Sequence, residues 1–501
     1  MTVILFIGKG LGLVREMFFA GMVGIGELAD SFMAASIVPR LILDAMFASA
    51  ITASFIPVFN EHLIQRGKSQ AFALANNFLN IVIATSAIVT LTVGMFAPIV
   101  IGFSGHSFDP YYANLTVNLL RIILPMIVVG CAAYSLVGVL QSFGQFYVPA
   151  AMSFLSNVII ITYYLLFYGR FGIYGLALVF VLSWVMQLLI LVPHLREHGY
   201  RYRFTINFKA PGLSEIGRLI GPAMLFTWVL PINMLINIFA VSHIVGGETA
   251  LGLSNTVYTI ITGMFVLSVA NVIFPKLSRL ASGSDDLSFG LVLKGAMKGL
   301  LYLLIPMTVG LVVVASPLIR LLFLRGEFTY EGSEMTATAL SWFALGIVGF
   351  GVQNVLARGF FSYKEGRTPL ITGIAAVAVN TLISFGFVGR IGITAPALGS
   401  AVAMTLCAAA LFAVMYTRNK AIWDSAATID VVKMVVCAIP MGFAARFVLS
   451  SAAYGGFIAD LTALVLASTA GVLIYLVLTY ALSVSEARIT ARYIKRKLGM
   501  A

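Results

Sequence analysis

The chain has 501 residues, of which 60% are hydrophobic and only 10% charged, with a mean hydropathy of +1.01. Soluble domains carry about 25% charged residues, so a water-soluble fold is excluded. The net charge of +12 is not a nucleic-acid signature, because the basic residues collect on alternate connections between apolar runs.

About fourteen apolar segments are expected to cross the bilayer, each able to span a hydrocarbon core of about 30 Å as a helix. The first, 3–24, is interrupted by Lys9, Arg15 and Glu16 and is followed by no small-residue cleavage site. It is expected to be a retained helix rather than a cleaved leader. Spans follow at 29–59, 71–103, 112–141, 146–168 and 171–194, closing an N-terminal six-helix lobe over 1–195. A polar, basic linker over 196–215 leads to spans 216–245, 249–275, 290–323, 334–362, 368–389 and 393–417, a second six-helix lobe over 216–420. Two extra spans, 429–450 and 457–483, occupy 421–485, and a basic tail covers 486–501. The fold class expected is an all-α polytopic membrane protein.

Positive charge marks one side of this bundle. Arg66, Lys68, Arg196, Arg201, Arg203, Lys209, Lys276, Arg279, Lys364, Arg367, Arg418 and Lys420 lie on alternate connections, and the tail adds Arg488, Arg492, Lys495, Arg496 and Lys497. The excess places both termini in the cytoplasm, which requires an even number of spans. Cys131, Cys407 and Cys437 lie inside apolar runs without metal-like spacing, and the histidine pair His194 and His198 has only Glu197 beside it. Neither a disulfide framework nor a metal site is suggested.

An internal repeat runs through the chain. Pro57 pairs with Pro275 at an offset of 218, Pro98 with Pro317 at 219, and Phe108 with Phe328, Thr116 with Thr336 and Pro149 with Pro369 at 220. An offset of six spans returns the chain to the same side of the membrane, so the repeat is parallel. Two such lobes, with substrate held between them, are one plan for a transporter.

Ionisable groups within a bilayer cost at least about 2.5–3.5 kcal/mol each and normally face protein or water. The first two spans hold six: Lys9, Arg15, Glu16, Asp30, Arg40 and Asp44. Lys9 and Glu16 lie one heptad apart, and Arg40 and Asp44 one turn apart. A basic cluster flanked by carboxylates suits a pyrophosphate headgroup, because arginine offers a fork of donors and lysine a compact charge. The alternative is that Arg15–Glu16 and Arg40–Asp44 are internal ion pairs whose heads reach the interface. No nucleotide-binding pattern occurs, which leaves a membrane potential or an ion gradient to drive transport.

The stretches Gly10-Leu11-Gly12-Leu13-Val14-Arg15-Glu16, Leu28-Ala29-Asp30-Ser31-Phe32 and Ser54-Phe55-Ile56-Pro57-Val58-Phe59-Asn60-Glu61 resemble the opening of the MurJ (MviN) lipid II flippases, and Gly366-Arg367-Thr368-Pro369 extends the likeness into the second lobe. The resemblance implies the multidrug/oligosaccharidyl-lipid/polysaccharide exporter fold, a V-shaped pair of lobes, and a groove at the last two helices for a lipid tail. It implies translocation of lipid II, an undecaprenyl-pyrophosphate-linked glycan, across the bacterial cytoplasmic membrane by alternating access. No cofactor or nucleic-acid partner is implied, and the expected working form is a monomer. Lys9, Arg15, Glu16 and Asp30 fall on charged positions of the family, with lysine replacing arginine at position 9. Leu43 and Thr256 stand where the family carries cavity arginines, Ala48 replaces an acid, and Asn380 matches part of a sodium-site pattern that continues with Ser384 rather than a carboxylate. These departures keep open the export of another polyprenyl-linked oligosaccharide. A drug/cation antiporter and a non-transporting envelope scaffold fit the basic first lobe less well.

Overall fold

The computed structural model describes residues 2–43, 54–103, 109–218, 229–283, 285–452 and 456–497. Among these, every regular element is helical. The first helices are α1 (Thr2–Val23), α2 (Glu27–Leu41), α3 (Ile56–Met95), α4 (Ala97–Phe103), α5 (Pro110–Ile123), α6 (Met126–Ser142), α7 (Tyr147–Leu166) and α8 (Tyr168–Glu197). Then come α9 (Val229–Val241), α10 (Gly247–Ser282), α11 (Asp286–Phe323), α12 (Tyr330–Leu345) and α13 (Ile347–Ser362). The chain continues with α14 (Arg367–Ile391), α15 (Thr394–Arg418), α16 (Ser425–Ser451), α17 (Phe457–Ala481) and α18 (Ser485–Lys497). Ten of the described helical stretches are long and apolar enough to cross a membrane, or eleven if α12 and α13, bent by 43°, form one span. α1 stands outside that count because it carries Lys9, Arg15 and Glu16. The expected second and seventh spans run into residues outside the described set.

Two compact units result: residues 1–249 with 325–329, and residues 250–324 with 330–501. In the first, α1 packs on α7, α3 on α6, α2 on α5, and α8 against both α6 and α7. Fully buried Phe32, Phe55, Phe59, Leu119 and Leu120 centre its core. Arg325–Thr329 joins this unit because the Glu327 amide donates to the Gly21 carbonyl at 2.9 Å. Gly24 ends α1 with φ +81°, and a Cβ there would meet the Glu327 carbonyl at 2.7 Å, so both conformation and close approach demand glycine. In the second unit α14 packs on α15, α11 on α12 and α16, and α16 on α17, with Leu301, Met434, Cys437, Met441 and Tyr475 packed where α11, α16 and α17 meet.

Local chemistry sets the helix ends. Asp109 caps α5 by accepting from the Tyr111 amide at 3.0 Å with Pro110 following, and Asp424 caps α16 through the Ala427 amide at 2.8 Å. The expected span 112–141 is one membrane-length stretch, Pro110–Ser142, whose helical ladder is interrupted at Pro125, which lacks an amide hydrogen and crowds the preceding turn. The polar stretch between the expected second and third spans is helical rather than a loop: α3 runs through it, kinked at Gly67 (φ 79°), with Gln65 donating to Glu61 one turn earlier at 3.1 Å.

Helix ends also repeat. α5 and α12 begin at Pro110 and Tyr330, α6 and α13 end at Ser142 and Ser362, and α7 and α14 begin at Tyr147 and Arg367, each pair 220 apart. The turns between them share a hydrogen-bond pattern. Gly144 and Gln145 amides donate to Gln141 and Leu140 carbonyls, and Lys364 and Glu365 amides donate to Phe361 and Phe360 carbonyls. Gly144 has φ 76° and Lys364 φ 58°, so a lysine holds the left-handed position that glycine fills in the first copy.

Candidate functional site

α1, α2, α7 and α8 bring the first-span charges together. On α1, Arg15 Nη2 donates to Glu16 Oε1 at 2.5 Å and Nη1 to Asn157 Oδ1 at 3.2 Å, while Asn157 Nδ2 anchors to the Gly8 carbonyl at 3.1 Å. Asn157, on α7, therefore fixes both the backbone of α1 and the guanidinium two turns along it. Arg40, near the end of α2, lies on the same aromatic ring as Arg15: their Cζ atoms stand 5.4 and 5.9 Å from the centroid of Phe180 on α8. Phe180 is itself wedged edge-on against Phe32 with centroids 5.2 Å apart. A ring face attracts cations within about 6 Å, so one buried aromatic holds two like charges near each other.

Glu16 sets a carboxylate against the Arg15 guanidinium. Glu16 is nearly closed off, with a side chain 9% exposed, whereas that of Arg15 is 23% exposed. A guanidinium has five N–H donors, and two of those on Arg15 go to Glu16 and Asn157, which leaves donors for an anion's oxygens.

The other described residues singled out in the sequence lie apart. Lys9 is exposed on α1, two turns before Glu16. Asp30 is buried at the start of α2, where it caps the segment entering α10. Its Oδ2 accepts from the Gly246 amide at 2.6 Å, and Oδ1 accepts from the Thr249 amide and hydroxyl at 2.9 and 2.7 Å. A carboxylate at a helix N-terminus satisfies orphan amides and complements the helix dipole. Asp44 and Ala48 lie outside the described residues. Leu43 is fully buried in the apolar core of the first unit. In the second unit, Thr256 donates back to the Gly252 carbonyl of its own helix at 3.0 Å, and Asn380 is buried, accepting from the Ser384 hydroxyl at 3.2 Å.

Sequence reasoning missed Asn157 and Phe180. A polar asparagine within an otherwise apolar span was the available signal for the first. Nothing in the sequence distinguishes Phe180 from the other aromatic residues.

An all-helical bundle of membrane-length spans, with two part-buried cations on its first two helices, defines a polytopic membrane transporter. A family model described as lipid II flippase MurJ matches residues 19–478. The chain belongs to the lipid II flippase MurJ family. It is 26% identical over 418 residues to a probable lipid II flippase MurJ of Rhizobium meliloti (strain 1021), covering 81% of this chain and 78% of that protein. It shares its fold with a solved lipid II flippase MurJ in an inward closed conformation, at a TM-score of 0.82 and 20% identity, covering 96% of this chain and 98% of the other. An inward-facing multidrug resistance MATE family transporter of the MOP superfamily gives a TM-score of 0.69 at 15% identity, covering 83% of this chain and 95% of that one. The multidrug/oligosaccharidyl-lipid/polysaccharide exporter fold implied by the opening motifs is the fold observed.

Proposed function

We propose that this chain carries lipid II from the cytoplasmic to the outer leaflet of the bacterial cytoplasmic membrane by alternating access. The observation that carries the reading is the Arg15–Arg40 pair on Phe180, with Glu16 offsetting part of its charge. In the empty site the ring and the carboxylate hold the two cations near each other. When a pyrophosphate enters, its oxygens take the remaining Arg15 donors, and Lys9, two turns earlier on α1, adds a compact charge at longer range. Asp30 holds the Gly246–Thr249 segment against α2, and Asp44 is the acid four residues after Arg40 in sequence. The working form is a monomer with both termini in the cytoplasm, built as lobes 1–195 and 216–420 joined by the linker 196–215, with 421–485 as two added helices. A membrane potential or a sodium or proton gradient drives the cycle, and Asn380 contributes to an ion site in the second lobe.

A second reading, export of another polyprenyl-linked oligosaccharide, is favoured by Leu43 and Thr256 standing where the resemblance implies arginines. Expression in cells depleted of their own lipid II flippase separates the two. Restored growth with lipid II exposed on the outer leaflet supports the first. Failure there, combined with rescue of a strain lacking a flippase for a different lipid-linked glycan, would replace it with the second.

A further inference from the structure

The connection leaving α8 is built in an unusual way for a loop between membrane helices. After Gly199 (φ 85°) turns the chain, residues 201–207 run without regular structure along α3. There they meet three buried asparagines. Asn76 Nδ2 donates to the Arg201 carbonyl at 3.0 Å, and Asn80 Nδ2 to the carbonyls of Arg203 and Thr205 at 3.1 and 3.0 Å. Asn77 both donates to the Asn207 carbonyl at 2.8 Å and accepts from its amide at 2.6 Å. The acceptors are every second residue, as expected of an extended chain that turns alternate backbone groups to one side. Tyr200 and Tyr202 hydroxyls close the ladder on Asn76 and Asn80 at 2.6 and 2.8 Å. This strap is thus fixed through its backbone and two tyrosine hydroxyls, which leaves the other side chains of 201–209 outside the ladder.

Those side chains are of two kinds. Phe204 and Phe208 are 74% and 72% exposed, with Tyr202 and Ile206 also exposed. Arg201, Arg203 and Lys209 are exposed among them, and no acidic residue occurs from His198 to Ser214. The strap begins three residues after the end of α8, a 30-residue stretch long and apolar enough to cross a membrane, and a chain leaving such a span enters the layer between hydrocarbon and water. Aromatic side chains gather at that level, and basic ones there meet anionic headgroups. A soluble phosphate compound would leave the large apolar groups in water, whereas a lipid surface accommodates both kinds at once.

We propose that the Tyr200–Lys209 strap is a docking site for anionic glycerophospholipid, its exposed Tyr202, Phe204 and Phe208 seated at the headgroup and acyl-chain boundary and Arg201, Arg203 and Lys209 on the phosphates. The full-length chain carrying Phe204→Trp, placed in nanodiscs of one fixed phosphatidylcholine and phosphatidylglycerol mixture, tests it. The acyl chains of one lipid or the other are brominated, and the parent chain's own tryptophan signal is subtracted. The added tryptophan is quenched in both mixtures, and more strongly when phosphatidylglycerol carries the bromine. A single well-placed cation corresponds to roughly fivefold local enrichment of the anionic lipid. Combining Arg201→Gln, Arg203→Gln and Lys209→Gln abolishes the bias but leaves the quenching, and thermal melting of the variant equals that of the parent because the ladder uses no side-chain atom of these three residues. Equal quenching by the two lipids, survival of the bias in the neutral variant, or no quenching by either would overturn the proposal. The last outcome would point instead to a water-facing strand that receives a protein partner.

Discussion

Replacing Arg15 by alanine removes a side chain whose Nη2 stands 2.5 Å from Glu16 Oε1 and whose Nη1 bonds Asn157 at 3.2 Å. Glu16 is nearly buried, so the variant strands a carboxylate, a change that costs about 3–5 kcal/mol for a buried pair. The lower end applies here, because the Arg15 side chain is 23% exposed and water can reach part of the gap. Neutralising the partner as well, in Arg15→Ala with Glu16→Gln, removes the orphan charge and leaves chiefly the lost Asn157 hydrogen bond, about 1 kcal/mol. The double variant therefore melts close to the parent, while Arg15→Ala melts well below it. Transport separates differently. If the guanidinium binds pyrophosphate, hydrogen bonds to a charged group are worth about 1.5–3 kcal/mol, roughly a ten- to hundredfold loss in translocation. That loss persists in the double variant, and Arg15→Lys recovers only part of it because the fork is gone. Outer-leaflet exposure of lipid II, normalised to folded transporter, is the assay. Normal translocation in the stable double variant would show that Arg15 serves only its ion pair and would refute the site.

Asp30→Asn keeps the shape but turns an amide donor toward one of the amides at Gly246 and Thr249, at a cost of about 1.5–3 kcal/mol. An unchanged melting temperature would dismiss the cap. Lys364→Gly relieves a left-handed lysine and raises the melting temperature by the equivalent of about 1 kcal/mol, while Gly144→Ala lowers it comparably. Matching melts for both variants and the parent would show that neither turn depends on its residue. Lys298 Nζ bonds Asp430 at 2.6 Å and lies 3.2 Å from Glu486 at the start of α18. Lys298→Met leaves two carboxylates without that cation, destabilises by about 3–5 kcal/mol, and opens α18 to trypsin at Arg488 and Arg492. Trypsin resistance equal to the parent's would argue that α18 is held by other contacts.

Composition and periodicity carried the fold class, because a membrane-length helix needs only a run of apolar residues, and both sources are local. The Arg15–Glu16 pair was legible for the same reason, its partners being neighbours in sequence. Asp30 was readable as a charge in the wrong solvent but not as a cap, since the amides it binds lie 216 and 219 residues away. Asn157 and Phe180 meet Arg15 only once α7 and α8 pack beside α1, and no spacing rule links them. The helical reading of 60–70 was lost to its polarity, although it contains one glycine and no proline to end a helix.

The paired turns after α6 and α13 show what survives when a structural unit occurs twice in one chain. The glycine has gone from the later turn, yet its geometry is retained by bracing from outside. The Tyr363 hydroxyl donates to Asp286 at 2.7 Å, the Arg418 guanidinium lies over the Tyr363 ring at 3.9 Å, and Arg418 also pairs with Glu365 at 2.8 Å. Three helices thereby meet at one corner, and a local backbone preference has been exchanged for a cross-linked joint. An alignment keyed to glycine would overlook this correspondence, whereas one keyed to the carbonyls of Leu140 and Phe360 would find it. The first turn is thus tied to the identity of one residue, while the second is tied to neighbours that can change only in concert.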